Sequence, residues 1–130
     1  MIIGVHHVLL AAPPGSEDAL RAFYGGVLGL EEIPKPPELA KRGGAWFRGR
    51  SGGRRGGEFH HVELHLGIED DFRPARKAHP ALIVHDIDQL AERLRAAGHD
   101  VTPDGLFPGY RRVYADDPVG NRLEFLQPSH

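Results

Sequence analysis

Residues 114–128 read YADDPVGNRLEFLQP, and this stretch decides how the end of the chain folds. Its Asp-Pro and Gly-Asn dipeptides are strong turn formers, and strand-forming residues stand on both sides of them. We therefore predict two strands, at 110–115 and 122–126, that pair as a β-hairpin. The second strand carries Glu124 between two apolar residues, and a carboxylate in that setting needs a partner if it is buried.

Upstream of the hairpin, the sequence predicts a strand, a helix and a further short strand. The run HPALIVHDI at 79–87 is apolar and rich in β-branched residues, which is typical of a strand. Asp86 or Asp88 is placed to cap a following helix, and Gly98 is placed to end it. A short strand at 99–102 then leads into the hairpin, so the second half of the chain has the order βαβββ.

The first half of the chain shows the same order of elements. An apolar run at 2–11 predicts a strand, and Ser16 is placed to cap a helix that Gly25 and Gly26 would end. Further strands are predicted before Pro34, around Trp46 and Phe47, and at 58–68. In the last of these strands apolar and polar residues alternate, which indicates one buried face and one polar face.

The two halves are interpreted as two copies of one repeat inside a single domain of residues 1–130. Module one spans about 1–68 and module two about 78–128. A lone βαβββ unit leaves one sheet face and one sheet edge open, so two copies are expected to associate. The predicted fold class is therefore α+β, with two βαβββ modules that form a cupped mixed sheet and a cleft between them.

Composition limits the function classes. The 130 residues carry 16 Lys+Arg and 18 Asp+Glu, a formal net charge of −2, which argues against a nucleic-acid binder with a dominating positive field. The absence of Cys excludes disulfides, thiolate catalysis and Cys-ligated zinc. No apolar run reaches the roughly 20 residues of a membrane span, and the N-terminus lacks the basic region of a signal peptide. We expect a cytoplasmic protein with no membrane or nucleic-acid partner.

One set of side chains recurs in both modules and suits a metal ion. The first strand of each module carries a His near its start, and the last strand carries a Glu; they are His7, His79, Glu63 and Glu124. Imidazole and carboxylate together suit Zn, Ni, Co, Mn or Fe, and four such ligands leave positions for water and substrate. His61 and His65 share the strand face of Glu63, and either is an alternative to it as a ligand, His65 being the main one; aligning VELHL with LEFLQ favours Glu63.

Other polar residues have both a functional and a structural interpretation. Arg112 and Tyr114 share one face of a predicted strand, where they would either hydrogen-bond a substrate or support the sheet. The run RGRSGGRRGG at 48–57 carries four arginines that would capture a carboxylate or phosphate, but a solvated hairpin loop is the interpretation we favour. His6 neighbours His7 on a predicted strand, so it is expected to face the opposite way and not to bind the metal.

Five motifs span nearly the whole chain: HHVLLAAP, FYGGVLGLEE, VELHLG, HPALIVHDID and YADDPVGNRLEFLQP. Taken together they resemble the vicinal-oxygen-chelate superfamily, which includes glyoxalases, bleomycin-resistance proteins and ring-cleaving dioxygenases. The resemblance implies paired βαβββ modules, and it implies that the protein is a homodimer. It also implies that the positions matching the metal ligands of glyoxalase I are His7, Glu63, His79 and Glu124, and that one of these Glu residues acts as a base.

We therefore expect a divalent-metal-dependent enzyme of the glyoxalase type that acts on a small oxygenated metabolite, by lyase or isomerase chemistry through metal-chelated vicinal oxygens. The ion would polarise a carbonyl or hydroxyl pair, and Glu124 or Glu63 would shuttle a proton. Two alternatives stay open. An iron-dependent dioxygenase needs only two His and one Glu, and a metal-free drug-binding protein of the bleomycin-resistance type needs none of the four ligands. Pairing of modules within one chain or between two chains also stays open.

Overall fold

The computed structural model describes residues 1–49 and 61–129, and it describes the backbone alone at 54–55 and 58–59. The chain divides into two compact units, Met1–Arg73 and Pro74–His130. Each unit contains its own four-stranded mixed β-sheet.

The first unit holds a strand, a helix and three further sheet strands, with a small hairpin between the last two. Its elements are β1 (Val8–Ala12), α1 (Glu17–Leu20) with a π-helical continuation (Arg21–Val27), β2 (Glu31–Ile33), α2 (Pro37–Ala40), β3 (Ala45–Arg48), β4 (Arg54–Arg55), β5 (Glu58–Phe59) and β6 (Glu63–Ile68). The sheet order is β1-β6-β3-β2, with β1 parallel to β6 and the other pairs antiparallel. Strands β4 and β5 pair with each other.

The second unit repeats this arrangement. Its elements are β7 (Ala81–Ile83), α3 (Ile87–Ala96), β8 (Thr102–Asp104), β9 (Tyr110–Asp116) and β10 (Arg122–Pro128). The sheet order is β7-β10-β9-β8, again with the first pair parallel and the others antiparallel. The predicted C-terminal hairpin, the two βαβββ modules and the α+β class are therefore confirmed.

One face of each sheet is apolar and covered by the helix of the same unit. In the first unit the Tyr24 ring of the π-helical segment lies 5.5 Å from the Phe47 ring of β3, and both residues are buried. In the second unit α3 contacts β9 and β10, and Leu94 and Leu123 are fully buried. Burying such side chains contributes roughly 1.5–3 kcal/mol each. The other face of each sheet is left to polar and aromatic residues, and it carries the predicted ligands.

The first helix differs from its prediction at both ends. Ser16 precedes the helix but makes no side-chain cap; its hydroxyl donates to the Pro13 carbonyl at 2.7 Å instead. The helix also does not stop at Gly25 and Gly26, because a wider π-helical turn carries it on to Val27. The first strand is shorter than predicted, since β1 starts at Val8 opposite a partner strand, β6, that begins only at Glu63.

The helix of the second unit follows its prediction more closely. The Asp86 carboxylate accepts a hydrogen bond from the Gln89 backbone N–H at 3.0 Å, and Gly98 ends the helix with a φ of +90°. The strand expected at 99–102 lies instead at Thr102–Asp104. It is an edge strand of its sheet, where a proline costs no ladder hydrogen bond. Within the described part of the chain, no helix has the length and apolar character needed to cross a membrane.

Candidate metal centre

The parallel pairing of first and last strand brings the predicted His79 and Glu124 into contact in the second unit and places His7 and Glu63 at the starts of neighbouring strands in the first. In the first unit Val8 pairs with Leu64, so His7 and Glu63 stand one residue before a matched pair. In the second unit Ala81 pairs with Glu124, and His79 stands two residues before Ala81. Each sheet therefore carries two of the predicted ligands, a pair called here a half-site.

The half-site of the second unit is compact and buried. The Nε2 atom of His79 lies 2.8 Å from Oε1 of Glu124, and Glu124 is only 6% exposed. The other ring nitrogen, Nδ1, lies 2.9 Å from the backbone carbonyl of Arg76. A carbonyl oxygen can only accept, so Nδ1 carries a proton and donates it. Nε2 is thereby aimed at a carboxylate oxygen, so these two acceptor atoms need a proton or a metal ion between them.

The chemistry of this pair fits a divalent first-row ion. The 2.8 Å between His79 Nε2 and Glu124 Oε1 is a hydrogen-bond length, and imidazole nitrogen and carboxylate oxygen are both ligand atoms that divalent first-row ions accept. Metal-binding histidines almost always donate their second N–H to a carboxylate or backbone carbonyl, which fixes the ring orientation. The Arg76 carbonyl provides that contact. The residues present therefore fit a metal ligand pair.

Arg112 borders the same pair. Its Nη2 donates to Oδ1 of Asp104 at 2.9 Å, and its Nη1 lies 3.4 Å from Oε2 of Glu124. The hydrogen bond from Arg112 lowers the pKa of Asp104, and the same bond raises the pKa of Arg112. The guanidinium also lies over the Phe107 and Tyr114 rings, at 5.3 and 5.2 Å. Its buried Nε has no hydrogen-bond partner within residues 1–49 and 61–129.

The half-site of the first unit has a different chemistry. His65 Nε2 lies 2.6 Å from Oε2 of Glu63, and His61 Nε2 lies 3.6 Å from its other oxygen. The hydrogen bond from His65 holds the pKa of Glu63 below its ordinary value, so this carboxylate stays ionised. Burial lowers the pKa of His65 despite that contact, so His65 is neutral near pH 7 and donates its Nε2–H to Glu63.

His65 is also the middle ring of an aromatic stack. Its ring lies 3.9 Å from the Trp46 ring at an interplanar angle of 6°, and 3.9 Å from the His7 ring at 14°. His6 was expected to face away from His7, but their Nδ1 atoms are 2.9 Å apart. Both residues precede β1, so the alternation of a strand does not separate them. The stack orients His7, which is itself exposed.

The register leaves the choice between Glu63 and His65 open. Glu63 would stand opposite His7 if the register of β1 and β6 continued by one residue, whereas Glu124 stands opposite Ala81 and is diagonal to His79. If His7 and His79 are taken as equivalent, the residue in the position of Glu124 is His65. If Glu63 and Glu124 are taken as equivalent, the counterpart of His7 is Ala81. The two modules share a topology but not an identical placement of ligands.

Across the described residues, no three His, Asp or Glu side chains form a group that could hold a metal ion. The structure gives the two half-sites separately, and the meeting of His7, Glu63, His79 and Glu124 at one ion stays a prediction. Tyr114, the other predicted substrate contact, pairs directly with Glu124 across β9 and β10, so it shares the polar face. Of the loop arginines, those at 50, 54 and 55 have side chains outside the described residues.

Sequence reasoning missed Asp104 and the Trp46–His65 stack. Asp104 stands opposite Arg112 in the sheet. Their pairing was not predicted because the edge strand was expected to begin three residues earlier, at 99, and to end before Asp104. A cleft of about 650 Å³ in the second unit was not predicted either. It is lined by Thr102, Tyr114 and Arg122 among others, and the Arg122 guanidinium lies 5.7 Å from the centre of the Tyr114 ring.

Comparison with known proteins identifies the family to which this chain belongs. The profile of the Glyoxalase/Bleomycin resistance protein/Dioxygenase superfamily matches residues 4–125. The structure of a glyoxalase family protein from Bacillus anthracis is 45% identical, with a TM-score of 0.85, and the match covers 99% of this chain and 98% of that chain. A search of curated protein sequences gives no significant match.

Two more distant structures share the fold. A variant of the fosfomycin resistance protein FosX from Listeria monocytogenes, solved with Mn(II) and a dihydroxypropylphosphonic acid, is 18% identical with a TM-score of 0.71, and the match covers 99% of this chain and 95% of that chain. An antibiotic binding protein from a Streptomyces species is 22% identical with a TM-score of 0.67, and the match covers 99% of this chain and 100% of that chain. With nearly the whole chain matched by the profile, this protein belongs to the Glyoxalase/Bleomycin resistance protein/Dioxygenase superfamily.

Proposed function

We propose that this protein is a divalent-metal-dependent enzyme of the glyoxalase type that acts on a small oxygenated metabolite by lyase or isomerase chemistry. The observation that carries the proposal is the buried His79–Glu124 pair, in which the Arg76 carbonyl directs Nε2 toward a carboxylate oxygen 2.8 Å away. Membership of the superfamily supports it, and so does the Mn(II) bound by FosX on a related fold.

The proposed ligand set joins the half-site of each module. His79 and Glu124 come from module two, and His7 with Glu63 come from module one, with His65 as the alternative to Glu63. The modules would pair within one chain or between the two chains of a homodimer. Zn, Ni, Co, Mn or Fe each suit imidazole with carboxylate. When bound, the ion supplies Lewis-acid polarisation of two neighbouring substrate oxygens.

The chain's own residues then divide the remaining tasks. A carboxylate must accept the proton from the carbon next to the polarised oxygen and return it to the product. We propose that Glu124 or Glu63 makes this proton transfer. Tyr114 and Arg112 lie on the same face as Glu124, and we propose that they contact the substrate.

The test measures metal and activity in matched variants. We expect purified protein to bind about one divalent ion per proposed site and to isomerise a hemithioacetal or a related α-oxygenated carbonyl compound. His79→Gln and Glu124→Gln should each weaken metal binding by about 10-fold or more, since each removes a ligand. His85→Gln is the control, because His85 is exposed between β7 and α3 and should leave both properties unchanged. Protein that binds no divalent ion, or that binds it equally well in all three variants, would refute the proposal.

One observation favours a second candidate, a metal-free protein that binds an aromatic compound. The stack of Trp46, His65 and His7 presents flat rings at 3.9 Å spacing, and Trp46 is partly exposed, which suits a planar ligand. Tight binding of a planar aromatic drug in the presence of EDTA, quenching Trp46 fluorescence, would establish that function. Iron as the bound metal, with oxygen uptake on a catechol, would instead indicate a dioxygenase.

A further inference from the structure

The carboxylate of Glu124 faces a different group at each oxygen. Oε1 faces the imidazole of His79 at 2.8 Å, and Oε2 faces the guanidinium of Arg112 at 3.4 Å. Both side chains around Oε2 are largely sheltered, with Arg112 16% and Glu124 8% exposed. Any cation that binds Glu124 therefore binds beside a fixed positive charge.

Arg112 is held mainly by another residue. Its contact with Asp104, at 2.9 Å, has the length of a strong charge-assisted hydrogen bond, whereas 3.4 Å to Glu124 is long for one. The strand register fixes this preference, because Asp104 of β8 stands directly opposite Arg112 of β9. Asp104 thus offsets most of the guanidinium charge and keeps it from closing fully on Glu124.

We propose that Arg112 and Asp104 form a charge pair that sets the affinity of Glu124 for a divalent ion. In metal binding both are positioning residues, since they act on the ion through the Glu124 carboxylate; this role is separate from the substrate contact proposed for Arg112. Asp104 keeps Arg112 drawn away, which leaves Glu124 negative and available; Arg112 without Asp104 would become its competing cation. This inference rests on the proposed function, because it presumes that Glu124 is a metal ligand.

The test compares dissociation constants for Mn²⁺ and Zn²⁺ by isothermal titration calorimetry on the full chain. Asp104→Asn frees Arg112 to pair with Glu124, so it should weaken metal binding by about 10- to 100-fold, the range found when partners of metal ligands are changed. Arg112→Gln removes the competing charge and should tighten binding. The double variant should return close to the affinity of the unsubstituted protein, because the two charges are then removed together. A general loss of structure would weaken binding in all three variants and cannot produce these opposite signs.

A neighbouring ion pair supplies the matched control. Arg111 and Asp88 are joined at 2.7 Å but are 53% and 75% exposed, and Arg111 points to the opposite face of β9 from Arg112. Asp88→Asn and Arg111→Gln make the same charge changes and should leave the dissociation constants unchanged. Asp104→Ser serves if the Asn variant does not fold.

The possible outcomes separate the two proposals. If the unsubstituted protein binds no divalent ion, the proposed function fails and this inference fails with it. If it binds metal, but the Asp104 and Arg112 variants keep its affinity or shift it in the same direction, only this inference is wrong.

Discussion

Gly44, just before strand β3, tests how closely the first unit is packed around its half-site. Its φ is +84°, and a Cβ added there would lie 2.0 Å from the backbone oxygen of Leu66. Its N–H donates to the Glu17 carboxylate at 3.0 Å. Gly44→Ala therefore carries two penalties. A left-handed conformation costs a non-glycine residue about 1–2 kcal/mol, and relief of the clash requires the backbone to move, at about 1–3 kcal/mol by analogy with overpacking.

We expect the free energy of unfolding of Gly44→Ala, measured in urea at pH 7, to fall by about 3 kcal/mol or more. Gly15→Ala isolates the first penalty, because Gly15 has a φ of +82° with nothing within 4 Å of an added Cβ. It should lose only about 1–2 kcal/mol. Gly26→Ala has neither penalty, so it should be neutral or slightly stabilising.

The consequence extends to the candidate site. Strand β3 carries Trp46, which stacks on His65, so a displaced β3 should also change the Trp46 fluorescence of the folded protein. If Gly44→Ala is no less stable than Gly15→Ala, the close approach to Leu66 is wrong, and so is the packing reasoning built on it.

Two further predictions concern charge and capping. The pKa of Glu63 is held below its ordinary value of 4.5 chiefly by the hydrogen bond from His65, so the ionised carboxylate stabilises the fold at higher pH, and this contribution is lost as pH falls through the lowered pKa. In Glu63→Gln the free energy of unfolding should therefore fall less steeply below about pH 4.5 than in the unsubstituted protein. If the two proteins lose stability equally in this pH range, the hydrogen bond between His65 and Glu63 does not stabilise the fold. Asp86→Ala should cost about 1 kcal/mol by thermal melting, because it removes the N-cap bond to Gln89. Ser16→Ala should cost less, since it removes no cap and loses only the hydrogen bond to the Pro13 carbonyl; a loss as large as that of Asp86→Ala would contradict this.

Elements with strong local signals could be predicted from the sequence. The turn DDPVGN fixed the C-terminal hairpin, and Asp86 and Gly98 bounded α3, because turn and cap chemistry depends on residues a few positions apart. The repeated order of elements also predicted two sheets of matching topology. The contact of His79 with Glu124 also agrees with the pattern, since the first and last strands of the second unit are neighbours.

Features that depend on neighbouring strands could not be predicted. Strand β8 is weakly marked in sequence, and its position is set by pairing with β9, so Asp104 was not recognised as the partner of Arg112. The two-residue difference in register between the modules depends on how β1 meets β6 and how β7 meets β10. The π-helical turn through Gly25 and Gly26 was likewise invisible, because two glycines normally indicate a helix end.

The duplicated topology has produced two half-sites with unequal electrostatics. Glu63 is surrounded by imidazoles, of which His65 is kept neutral by burial, whereas Glu124 shares its surroundings with a permanently charged guanidinium. Two donors alone bind a divalent ion weakly, so under the proposed ligand set tight binding requires a contribution from both modules. The ion would then link the modules as well as serve the chemistry, and metal should raise the thermal stability of the protein. The increase should be smaller in His79→Gln, while His85→Gln retains it in full, and an equal increase in both variants would show that the ion binds elsewhere.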